Sequence, residues 1–127
     1  MGIINNENGQ KIKPLFWVSS AKKNLLEMPE QVVDLIGYAL YLAQNGLKHP
    51  QAKPLKWFGS AGVLEVVEDY SGNTYRAVYT VRLSNRIYVL HCFQKKSRKG
   101  IETSKHDMDL IEARLRLAGL HSEGAER

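Results

Sequence analysis

The chain has 127 residues, 43% hydrophobic, 24% charged and 9% aromatic, which suits one folded domain and excludes wholesale disorder. Eighteen Lys and Arg against thirteen Asp and Glu leave a formal charge of +5. A single cysteine, Cys92, excludes an internal disulfide, the four histidines lack zinc-motif spacing, and the longest apolar run, Leu35 to Ala43, is too short to span a bilayer.

No signal-peptide pattern opens the chain, so the expectation is a cytoplasmic protein with no metal and no cofactor. Residues 1–10 are polar and without period, and read as a flexible leader. Ile12 to Val18 is a short apolar stretch whose Pro14 fits an edge strand or a strand start. Ser19 and Ser20 offer a cap for a helix from Ala21 to Met28. Pro29 breaks that helix or opens the next one, where Val32, Val33, Ile36, Ala39, Leu40 and Ala43 fall on one face. Asn45-Gly46 ends it.

Residues 47–62, with Pro50, Pro54, Gly59 and Gly62, read as a loop carrying three lysines and the aromatics Trp57 and Phe58. Three strands follow: Val63 to Asp69, Thr74 to Leu83 and Arg86 to Gln94. Turns at residues 70–73 and at Ser84-Asn85 make antiparallel hairpins the natural arrangement. A two-residue turn at Ser84-Asn85 places Arg76 opposite Phe93 and Val78 opposite His91. Arg76, His91, Phe93 and Lys95 then share one face, and Tyr75, Tyr79, Tyr88, Leu90 and Cys92 share the other, toward the helices. After the basic tract Gln94 to Gly100, Thr103 or Ser104 caps a last helix, with Asp107 as a capping-box acid and Met108, Ile111, Leu115 and Ala118 as its apolar stripe. Residues 119–127 read as a polar tail. The fold class is α+β in one domain, residues 1–127 with a core of about 12–118: an N-terminal strand and helical hairpin, then an antiparallel sheet with its helices on one face. The other face is open and basic.

Charge is unevenly placed. Residues 76–106 hold eight Lys and Arg against Glu102 alone, residues 48–58 add Lys48, Lys53 and Lys56 with no acid, and residues 24–47 hold Glu27, Glu30 and Asp34 with no base. A concentrated basic field suits a polyanion, nucleic acid first. No Ser-His-Asp set, Walker loop, GxGxxG, HExxH or CxxC pattern competes with that reading. A cationic face can hold a phosphate backbone, with aromatic stacking on exposed bases, and can stabilise the transition state of phosphodiester cleavage. RNA supplies the nucleophile as its own 2′-OH, so Arg76, Lys95 and Lys96 with one proton acceptor suffice for a metal-free ribonuclease. Arg76 has a second reading, as a cross-sheet partner of Glu65 or Glu68. His91 reads equally as a packed strand histidine, and the two lysines as a solvated loop.

The blocks Ser20-Ala21-Lys22-Lys23-Asn24-Leu25 and Met28-Pro29-Glu30 resemble the first helix of RelE/ParE-superfamily toxins. Ala52-Lys53-Pro54-Leu55-Lys56, Gly62-Val63-Leu64-Glu65, Thr74-Tyr75-Arg76-Ala77-Val78-Tyr79 and His91-Cys92-Phe93-Gln94-Lys95-Lys96-Ser97 resemble the HigB-like, phage-derived branch. His106 to Ile111 and Ala113-Arg114 resemble its final helix. The resemblance covers residues 13–118. It implies a compact RelE-like fold and a toxin of a type II toxin–antitoxin system that cuts mRNA, in association with the ribosome, and so inhibits translation. It implies a cognate antitoxin, a helix-turn-helix protein from the adjacent gene. Catalytic roles pass to Arg76, Lys95 and Lys96, with His91 among the acid–base candidates beside His106, Glu65 and a lysine of lowered pKa. RNA-binding roles fall to Lys53, Lys56, Arg82, Phe93, Arg98 and Lys99. The alternatives are a non-nuclease inhibitor of gyrase or the ribosome, and a domesticated nucleic-acid-binding domain.

Overall fold

The computed structural model describes residues 12–58, 61–95 and 103–125. In chain order the elements are β1 (Leu15–Trp17), α1 (Ala21–Leu26), α2 (Glu30–Gln44), β2 (Ala52–Pro54), β3 (Val63–Tyr70), β4 (Asn73–Leu83), β5 (Arg86–Lys95) and α3 (Lys105–Ala125). The leader at residues 1–10 and most of the basic tract after Lys95 lie outside the described residues.

Two tight turns organise the sheet. Ser71 and Gly72 take φ of 52° and 83°, and Ser84 and Asn85 take 54° and 59°. Both central residues of each turn are thus left-handed, as a two-residue turn matched to strand twist requires. The turns bring β3, β4 and β5 into an antiparallel meander, and the full strand order is β1-β5-β4-β3-β2. β2 closes one edge, antiparallel to β3, where the sequence predicts only loop. Two prolines crowd this three-residue strand, which hides it from propensity. β1 closes the other edge parallel to β5, so the sheet is mixed and not wholly antiparallel.

The register expected from the Ser84-Asn85 turn holds where it matters: Arg76 lies opposite Phe93, Ala77 opposite Cys92 and Val78 opposite His91. Next to this stretch the pairing slips by one residue, with Tyr79 opposite Val89 and Thr80 opposite Tyr88. Leu90 is the extra residue, a β-bulge. Because side chains alternate with a period of two, the slip moves Leu90 and Tyr88 to the face opposite the one predicted for them.

That face is covered. α2 buries Val32, Ile36, Ala39, Leu40 and Ala43 against Val66, Ala77, Tyr79 and Val89 on one side of the sheet. α3 places Ile111 and Ala118, with Met108 and Leu115, against Val63, Val78, Tyr88 and Leu90 on the other. The α+β class is as predicted, but the helices are divided between both faces. The sequence shows that α3 has an apolar stripe and says nothing about which side of the sheet receives it. α3 also continues to Ala125, so the predicted tail is largely helix. Ser122 Oγ lies 2.6 Å from Ser84 Oγ, tying this extension to the hairpin turn.

Candidate functional site

Cross-strand pairing places the chemistry-bearing side chains. Lys53 is opposite Glu65, Glu65 opposite Val78, and Val78 opposite His91, so this row crosses four strands on the α3 side. Arg76 and Phe93 form the next row, and Thr74 and Lys95 the one beyond. Of the residues predicted from sequence, Lys53, Arg76, His91, Phe93 and Lys95 therefore share one end of one face, where α3 begins. Lys56 lies outside this group, exposed in the loop after β2, with Nζ 5.3 Å from the centroid of the Trp57 ring. Arg82 is exposed near the far end of β4, packed over Gly62, whose φ of +75° and lack of a side chain admit it. Lys96, Arg98 and Lys99 lie outside the described residues.

Arg76 is buried. Its side chain donates from Nη1 to Glu65 Oε1 at 2.6 Å and reaches Thr103 Oγ1 at 3.4 Å, and the two ionic residues are 6% and 5% exposed. The cross-sheet pairing that the sequence offers as one reading of Arg76 is the one formed. A buried guanidinium needs this carboxylate, because desolvation of either charge alone is far costlier than the pair. The arginine in turn sits under the residue that leads into α3.

His91 is the second fixed point. Its Nε2 lies 2.8 Å from Asp107 Oδ1, and Arg114 Nη1 approaches its Nδ1 at 3.5 Å. A guanidinium only donates, so Nδ1 accepts and Nε2 carries the proton that Asp107 receives. Burial lowers the imidazole's pKa, with Arg114 and His106 acting in the same direction and Asp107 opposing them. Burial thus favours the neutral ring, and both nitrogens have partners. Phe93 stacks on it with centroids 4.5 Å apart and planes 17° apart.

Asp107 is held as well. Its backbone N–H donates to Ser104 Oγ at 3.1 Å, the expected serine cap, and its Oδ2 accepts from the Ser104 hydroxyl at 2.8 Å, in place of the backbone N–H that a capping box would use. Arg114 also donates to the Leu90 carbonyl at 2.9 Å and to Ser20 Oγ at 3.2 Å, so the serine ahead of α1 is engaged across the molecule rather than capping its own helix. The sequence showed Asp107 as a cap and left out its link to His91. That link exists only because α3 crosses this face.

The resulting surface is a cationic edge on a rigid base. Lys53 is exposed and Lys95 half-buried at the rim, while Arg76 and His91 lie beneath, each pinned by a carboxylate. Such an edge can bind phosphate oxygens through ammonium groups while Phe93 presents part of a ring beside them. Among the described residues, no three His, Cys, Asp or Glu side chains are placed to share a metal ion. No helix among them is long and apolar enough to cross a membrane.

The protein-family model described as "Phage derived protein Gp49-like (DUF891)" matches residues 23–116, from inside α1 to well within α3. No curated protein and no solved structure matches the chain.

Proposed function

Because the chain belongs to the phage-derived Gp49-like family, a family of toxin–antitoxin toxins of the RelE/HigB type, we propose that it is an mRNA endoribonuclease that stops translation at the ribosome. The observation that carries this reading is the gathering of Lys53, Lys95, Arg76 and Phe93 at one end of one sheet face, directly ahead of the Lys96–Lys99 tract.

In the proposed reaction the 2′-oxygen of the RNA attacks the adjacent phosphorus and the bond to the 5′-oxygen breaks. The products are a 2′,3′-cyclic phosphate and a 5′-hydroxyl. The 2′-hydroxyl gives up a proton and the departing 5′-oxygen gains one, so no metal is needed to balance the step. Negative charge grows on the non-bridging oxygens as phosphorus becomes five-coordinate, and Lys95 and Lys96 are the groups that meet it. Lys53, Lys56, Arg82, Arg98 and Lys99 track the flanking backbone, and Phe93 stacks on a base.

Arg76 and His91 take a different part in this account from the direct one expected from sequence. Arg76 donates to Glu65, and both nitrogens of His91 already have protein partners. Both act as positioning residues that fix the strand ends and the start of α3, and Arg76 adds its charge from below. The antitoxin partner follows from the family.

The test is expression in a bacterial host, followed by chemical identification of the ends on recovered mRNA. The expected result is growth arrest with new 5′-hydroxyl and cyclic-phosphate ends. Lys95→Ala, at a rim position, is expected to slow cleavage by about 10- to 100-fold. Arrest with intact mRNA would overturn the nuclease reading.

A further inference from the structure

The outer face of α2 carries a residue that its own fold does not explain. Gly37 stands in the middle of this fifteen-residue helix, where glycine is less stable than alanine. Its φ is not among the left-handed ones, and a Cβ built there meets nothing within 4 Å. Nothing inside the chain therefore requires the missing side chain. With no side chain there, the helix backbone at Gly37 is open to close approach from outside.

The neighbours of Gly37 describe what would fit against it. Glu30, Asp34, Tyr38 and Tyr41 follow one another at helical spacing along the exposed stripe, with Gly37 one turn from both Asp34 and Tyr41. Tyr38 is 55% exposed and Tyr41 46%, although the opposite side of α2 already supplies its contacts to the core. Large half-stripped aromatics of this kind are the usual anchors of a protein interface. The stripe is also acidic in a basic molecule, since residues 24–47 hold Glu27, Glu30 and Asp34 and no Lys or Arg.

We propose that this face is the docking surface for a basic amphipathic helix of the antitoxin. Its apolar side chains lie across Gly37 against Tyr38 and Tyr41, and its Lys or Arg residues meet Glu30 and Asp34. Charge selects the antitoxin helix over a second copy seated through the same face, which would set Glu30 and Asp34 of one chain against those of the other. The inference rests on the toxin–antitoxin reading but not on RNA cleavage. The face lies across the sheet from Lys95 and Arg76.

The experiment titrates the purified chain with the purified antitoxin encoded beside it, by calorimetry, and measures the chain alone by sedimentation. Gly37→Gln fills the notch without an internal clash. It is expected to leave the thermal midpoint of the free chain unchanged or higher, yet to weaken binding by about tenfold or more. Asp34→Lys is expected to weaken binding and reduce its salt dependence, while Lys95→Ala binds as the wild type does. Equal affinity for wild type, Gly37→Gln and Asp34→Lys would overturn the surface while leaving the toxin–antitoxin reading standing. No complex with the wild type would overturn that reading and this inference with it. A wild-type dimer that Gly37→Gln converts to monomer would assign the face to a second copy and overturn the antitoxin as its occupant.

Discussion

Arg76 shows how a residue that looks chemical in sequence is first structural in the fold. A guanidinium with 6% exposure is held there by Glu65, which accepts from it at 2.6 Å. Glu65→Gln keeps the shape and removes the carboxylate charge 2.6 Å from the buried guanidinium. The expected loss is about 3–5 kcal/mol in urea unfolding, with Arg76→Ala similarly damaging from the other side. The double change Glu65→Leu with Arg76→Met is expected to recover most of that loss, since a well-packed apolar pair avoids the desolvation cost. If both single variants unfold like the wild type, the pair is not the clasp described. Loss of toxicity in Arg76→Ala therefore carries no information about catalysis by itself. Lys95 and Lys53, at the rim, are the residues that separate chemistry from folding.

At the scale of elements, the start of α3 is a clasp between helix and sheet. Asp107 is fixed by Ser104 and accepts a hydrogen bond from His91 Nε2–H, and Arg114 bonds the backbone of β5 from further along the same helix. This clasp carries a pH signature. Burial lowers the His91 pKa below its ordinary 6.5, so as pH falls through 6.5 the unfolded chain takes up a proton that the folded chain refuses. The His91 contribution to stability is thus present above 6.5 and declines as pH falls below it toward the folded value. Thermal midpoints measured from about pH 7.5 to about pH 5.5 are expected to fall, and to fall less in His91→Asn; parallel profiles would contradict the sign.

The same elements show what the sequence could and could not disclose. The hairpins were legible because Ser84-Asn85 and Ser71-Gly72 are two-residue turns, and turn length sets register. That alone placed Arg76 beside Phe93. The Leu90 bulge was not legible, since no glycine marks it, and it reversed the sides of Tyr88 and Leu90. The stripe of α3 was legible from Met108 to Ala118, but its partner face is a tertiary fact. The His91–Asp107 link and the closure of the predicted open face were lost with it.

Across the whole molecule the two sides of the sheet present different groups at their exposed edges. The α3 side has the rim of Lys53 and Lys95, after which the sequence continues into Lys96, Arg98 and Lys99, whereas α2 on the far side presents Glu30, Asp34 and two tyrosines. A molecule divided in this way can offer one side to a polyanion and the other to a basic protein. The central claim concerns the first. It is tested most directly by primer-extension mapping of an mRNA in a translation reaction, with the wild-type chain, with Lys95→Ala, and without protein. The account predicts new 5′ ends with the wild type that fade by about 10-fold or more with Lys95→Ala while the variant remains folded. Protein synthesis that stops with no new ends, or ends that persist undiminished with Lys95→Ala, would contradict it.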